Sequence, residues 1–97
     1  MNKAVLLLSR KTLYDDGSII QVRVWSVAAP LPPSEHGYKY SLFYGRAGER
    51  IVGYDNEKGK GDHKHIQGRE TSVRFETMDQ LIDQFFADVS AIREGRL

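Results

Sequence analysis

Cysteine is absent from the 97 residues. That removes disulfides, thiolate metal sites and a cysteine nucleophile together, and leaves stability to packing. Long hydrophobic runs are absent as well: the longest, Ala4 to Leu8, has five residues, against the roughly 20 that a membrane-spanning helix needs. Its flanking Lys3 and Arg10-Lys11 do not make a signal peptide. Prolines number three, all between Pro30 and Pro33, so they interrupt the chain at one place only. Neither charge sign dominates. With 14 basic and 13 acidic side chains and a net charge of +1, a strongly basic nucleic-acid binder is excluded, though a local basic patch is not. Hydrophobic residues at 40% and charged residues at 28% argue against disorder. The expectation is a cytoplasmic chain without membrane contact, folded as a single domain over residues 1–97.

Position says more than the totals. Residues 1–34 carry four basic and two acidic side chains, residues 35–70 seven and six, and residues 71–97 three and five. Seven of the nine glycines fall between Gly37 and Gly68. Within that stretch, Lys58, Lys60, Lys64 and Arg69 surround His63 and His65, with Asp62 the one acid from Lys58 to Arg69. Such sequence is poorly suited to a core, and chemistry is to be sought there.

Hydrophobic periodicity predicts an α+β fold: a curved antiparallel sheet of four to five strands, over about residues 4–75, carrying one C-terminal amphipathic helix. Ala4 to Tyr14 meets Asp15-Asp16-Gly17-Ser18, a hairpin signal because glycine accepts positive φ. In Ile19 to Val27, Ile20, Val22 and Val24 alternate with Gln21, Arg23 and Trp25. Pro30 to Ser34 is a loop. Tyr38 to Tyr44 and Glu49 to Tyr54 form a second hairpin about Gly45-Arg46-Ala47-Gly48, Asn56 to Gly61 is loop, and Thr71 to Phe75 is the clearest later strand. Thr77 and Gln80 mark a helix start, and Met78, Leu81, Ile82, Phe85, Val89 and Ile92 recur at helical spacing to about residue 93. Tyr38, Tyr40 and Tyr44 are expected beneath that helix rather than stacking bases, Phe85-Phe86 in the core, and His36 on a surface loop.

If His63 to His65 is extended, both imidazoles leave one face about 6.6 Å apart and Lys64 leaves the other. Three chemistries fit. In the first, His63 and His65 share acid–base proton transfers on a phosphodiester, since histidine changes charge near neutrality. Asp55 or Asp62 orients one ring, and Asn56, Lys58, Lys60, Lys64 and Arg69 contact phosphate or RNA. In the second, a divalent metal is held by His63, His65 and a carboxylate, Asp62 or Asp55. In the third, the Gly59-Lys60-Gly61 amides and the flanking lysines bind phosphate without turnover. The first requires no cofactor.

The run Tyr40-Ser41-Leu42-Phe43-Tyr44-Gly45, then Gly53-Tyr54-Asp55-Asn56, then Gly59-Lys60-Gly61-Asp62-His63-Lys64-His65 resembles the TumE family of toxin–antitoxin proteins. The later Phe75, Leu81 and Phe85-Phe86 extend the likeness, from about Leu6 to Val89. The resemblance implies a small bacterial toxin neutralised by a cognate antitoxin with a helix-turn-helix domain. Its larger branch continues Tyr-Asp-Asn into Ala-Pro-His-His, whereas Glu57-Lys58 stands here. Having fewer histidines weighs against the metal more than against proton transfer. RNA is the partner such chemistry implies, and a homodimer stays open. The reading from a different class is a non-catalytic protein- or RNA-binding module that docks its partner on an exposed sheet edge.

Overall fold

A computed structural model describes residues 3–96. Six strands form one open antiparallel sheet in the order of the chain: β1 (Ala4–Leu13), β2 (Ile19–Val27), β3 (Tyr38–Arg46), β4 (Glu49–Asp55), β5 (His63–Ile66) and β6 (Arg69–Ser72). The helix α1 (Met78–Arg93) follows and packs on β3 and β4. Each connection is short except the proline-bearing segment between β2 and β3. Register breaks at Leu6/Leu8 and at Tyr44/Gly45 insert bulges, which bend and twist their strands. Among the described residues no helix is long and apolar enough to cross a membrane.

The sheet has six strands where the sequence predicts four to five. The difference arises at residues 63–75. Gln67 and Gly68 both take positive φ, 52° and 82°, and make a two-residue turn between β5 and β6. Glutamine is not a usual turn former, so the hairpin reads poorly from sequence. The strand expected at Thr71–Phe75 ends at Ser72, and Phe75 leaves the sheet to stack on His36, ring centroids 3.7 Å apart. The β3–β4 turn uses Ala47 and Gly48, also both at positive φ.

Strand alternation builds the core. Ile20, Val22, Val24, Tyr40, Leu42, Tyr44, Val52 and Tyr54 face α1 and meet Leu81, Phe85 and Val89, all nearly inaccessible to solvent. Phe85 is fully buried, and its truncation to alanine would cost about 3–5 kcal/mol. Thr77 caps the helix by accepting from the Gln80 amide. Gly95 and Arg96 close it by returning their N–H groups to the Ile92 and Ala91 carbonyls. Two latches fix the helix on the sheet. Arg93 stacks 3.8 Å above the Tyr14 ring and donates to Ser18 Oγ and Tyr44 Oη. At the other, Asp88 accepts from Tyr54 Oη and pairs with Lys64 Nζ at 3.4 Å. Burial, with the Asp88 carboxylate beside it, raises the Tyr54 phenol well above the usual tyrosine range.

Candidate functional site

The period of two divides β5 between the faces of the sheet. His63 pairs with Asp55, Lys64 with Tyr54, and His65 with Gly53. Lys64 therefore lies on the helix face, tied to Asp88, while Asp55, His63 and His65 converge on the open face. One ligand atom from each of these three lies within 4.8 Å of the others. The two imidazoles meet edge to face with centroids 5.1 Å apart. Glu70 of β6 adds a second carboxylate, 3.7 Å from His63 Nε2.

Hydrogen-bond direction fixes part of the protonation pattern. His63 Nδ1 lies 2.9 Å from the Gly61 carbonyl, which can only accept, so Nδ1 carries a proton. Its Nε2 stands 2.5 Å from Asp55 Oδ1. That oxygen is buried without a hydrogen-bond partner. A neutral ring would turn the Nε2 lone pair onto a carboxylate. A second proton on the ring, or a cation between the two groups, resolves the conflict. His63 is almost wholly buried, and His65 is more accessible. Burial, and then the Arg50 charge, lower the His65 pKa below the ordinary histidine value.

Arg50 reaches this point because Gly53 lacks a side chain. A Cβ there would lie 2.5 Å from Arg50 Cδ and 3.2 Å from its Nε, so the arginine stem crosses β4 over Gly53, directly beside His65 in the register. Sequence reasoning passed over Arg50. The available signal was a glycine in the middle of a strand, which often marks a close approach.

The other residues singled out from sequence separate from this cluster. Asp62 precedes His63 by one residue and so faces the helix side. Its Oδ1 accepts from Tyr40 Oη at 2.6 Å and from His36 Nε2 at 2.7 Å, and its Oδ2 accepts from Ser34 Oγ at 3.1 Å. Burial and the Asp62 carboxylate push the Tyr40 phenol far above its ordinary value. Of the two carboxylates open as the third member of the metal set, Asp55 lies with His63 and His65, and alternation turns Asp62 away from both histidines. His36 is not a free surface residue. The Tyr38 amide donates to its Nδ1 at 3.2 Å, which leaves Nε2–H to donate to Asp62 and gives a neutral ring with both nitrogens engaged. The hollow bounded by Pro33, His36, Asp62 and Phe75 therefore contains no imidazole nitrogen free to take a proton.

Asn56 is fully buried. Its Oδ1 accepts from the Tyr40 amide at 3.0 Å, and its Nδ2 donates to the Tyr38 carbonyl at 2.7 Å and to Ser34 Oγ at 3.4 Å. The amide continues the β3–β4 ladder past Asp55 and clips the proline loop, so it faces no ligand. Lys58 and Lys60 are exposed in the β4–β5 loop, where the Gly59 amide bonds the Pro32 carbonyl. Arg69 lines the same groove as Lys64, with Ile66 and Thr71. Of the five polar residues expected to contact phosphate, none is seen against the His63–His65 pair, whereas Arg50 is.

Three outcomes came from comparison with known proteins. The sequence model of a family described as Toxin TumE matches residues 3–93, nearly the whole chain. No curated protein matches. No solved structure matches either.

Proposed function

The chain belongs to the TumE toxin family, and from that membership and the open-face cluster we propose that it is a toxin acting on RNA by histidine acid–base chemistry. His65, the more accessible ring and the one whose pKa is lowered, takes the proton from the attacking ribose 2′-hydroxyl. Attack on phosphorus breaks the bond to the 5′-oxygen, and the second proton of His63 passes to that leaving oxygen. Asp55, 2.5 Å from His63 Nε2, holds that ring in place, and Arg50 stabilises the phosphate as charge grows on it.

The observation that carries the reading is the convergence of Asp55, His63 and His65 within 4.8 Å, with Arg50 laid across Gly53 beside them. Asp62, Asn56 and Lys64 act at a distance by holding β4, β5 and the proline loop in place. Such a protein works where RNA is, in the cytoplasm, and is held in check by a cognate antitoxin, read here as a helix-turn-helix protein.

Expression of the wild-type chain should arrest growth and cleave cellular RNA, with and without a chelator. His65→Ala should abolish both while leaving the far-ultraviolet spectrum and melting temperature unchanged. Undiminished arrest by folded His65→Ala would end the catalytic assignment. Intact messenger, transfer and ribosomal RNA during arrest would remove RNA as the target.

A further inference from the structure

Among the described residues, the large hydrophobics left exposed are Val5, Leu6, Leu7, Leu13 and Phe86. Four of these belong to β1, and Phe86 stands beside it across a groove that Leu8, Arg10 and Thr12 line with Ile82. Exposed apolar side chains scattered singly need no explanation, but a contiguous group does. β1 is also the edge of the sheet, ten residues long, with one row of amide and carbonyl groups unpaired. Natural edges are usually blunted by shortness, proline or charge. The opposite edge, β6, follows that rule with four residues, Arg69-Glu70-Thr71-Ser72. The apolar half of β1 does not.

The strand has two chemical halves. Ala4 to Leu8 is apolar on both faces, because the bulge at Leu7 adds a residue to the alternation. Ser9 to Leu13 carries Arg10 and Lys11, and from Lys3 to Tyr14 there is no acidic residue. A second copy fits this edge badly. Antiparallel self-pairing centred on Ser9 sets Arg10 against Leu8 and Lys11 against Leu7. Centring it between Leu6 and Leu7 pairs only Ala4 to Ser9 and leaves the basic half bare. A segment with an apolar half and an acidic half satisfies both.

We propose that the cognate antitoxin docks here, adding an extended segment to β1 as a seventh strand, apolar along Val5–Leu8 and acidic along Arg10–Lys11. Main-chain hydrogen bonds supply affinity, the groove beside Phe86 takes alternate side chains, and the basic half fixes direction. The inference rests on membership in a toxin family and not on the RNA chemistry, since it concerns a surface away from His63 and His65.

The test is co-expression with the product of the adjoining gene, followed by calorimetric titration of the two purified proteins. Leu6 and Lys11 are exposed, so Leu6→Lys and Lys11→Glu should keep the wild-type melting temperature. Leu6→Lys should weaken the complex at least about tenfold. Lys11→Glu should weaken it about fivefold and flatten its salt dependence, and a basic residue in place of the facing acid on the antitoxin should restore binding. Hydrogen exchange of the β1 amides should slow in the complex. Wild-type affinity in both variants, or protection confined to β5 and β6, would overturn the proposal. So would protection of β1 that rises with concentration in the isolated chain, which would mark a second copy as the occupant. His65→Ala separates the two ideas: it should remove toxicity and leave antitoxin binding intact.

Discussion

Two histidine–aspartate pairs sit on opposite faces of the same end of the sheet, and they differ in completeness. On the helix face, Asp62 accepts from His36, Tyr40 and Ser34, and His36 has both nitrogens engaged. On the open face, His63 meets Asp55 at 2.5 Å, and Asp55 Oδ1 has no hydrogen-bond partner. Residue types and distances nearly match. The lesson is that such a pair is poised for chemistry when its hydrogen bonding is left unfinished, and becomes a structural clip when every donor and acceptor is matched.

The sharpest way to break the comparison is to remove one ring from each side. His65→Ala should lower the rate of RNA cleavage by about 100-fold or more, the span of general base catalysis, at unchanged stability. His36→Ala should do the reverse, lowering the denaturation midpoint while the folded fraction keeps its rate. Equal losses of rate in the two variants would erase the distinction between the pairs.

The next effect lies on the stability side. Asp62→Ala strands the Tyr40 hydroxyl, the His36 N–H and the Ser34 hydroxyl without their acceptor. Leaving partly buried donors unmatched should destabilise the fold by about 3 kcal/mol in urea unfolding. Asp55→Ala removes the carboxylate 2.5 Å from His63 Nε2 and should impair cleavage, with a smaller loss of stability because its buried Oδ1 has no hydrogen bond to lose. A large stability loss in Asp55→Ala, or none in Asp62→Ala, would show that the pairs had been ranked the wrong way.

Zinc sharpens the contrast further. Asp55, His63 and His65 can offer three ligand atoms, but binding through His63 Nε2 requires a lone pair free of the proton that the proposed acid would donate. Added zinc should therefore inhibit cleavage several-fold, and chelation should not. Activation by zinc would replace proton transfer with metal-assisted chemistry at the same residues.

Much of this was legible in the sequence, for reasons that can be named. The helix Met78–Arg93 was marked by a cap, a 3.6-residue period and Gly95. β2 was marked by strict alternation between turns. The β5–β6 hairpin was hidden because Gln67 holds a positive φ, 52°, without the usual turn chemistry. His36 and Asp62 are separated by 26 residues in sequence, and no local pattern joins a proline loop to the start of a strand. The assignment of Asp55 rather than Asp62 to the His63–His65 face was available in principle, since a neighbour in a strand points the other way. Arg50 was visible only through Gly53, whose missing side chain makes room for the arginine stem.

Arg50 gives the smallest effect and the finest probe of the open face. His65 acts as a base only when neutral, and it is surrounded by Arg50 and Asp55 from β4, His63 from β5 and Glu70 from β6. Burial lowers its pKa most and Arg50 lowers it next, while Glu70 and Asp55 oppose them. The acid limb of kcat should therefore fall below the ordinary histidine value of 6.5, because protonation that silences the base needs a lower pH. Arg50→Gln removes a like charge, so the limb should move upward. Glu70→Gln removes an opposing charge, so it should move downward. Arg50→Gln should also raise KM by weakening the phosphate contact, but only a shift of the kcat limb reports on His65 itself. A limb that stays fixed in both variants would mean that the titrating base is not His65, and that the accessible ring of the open pair is a bystander.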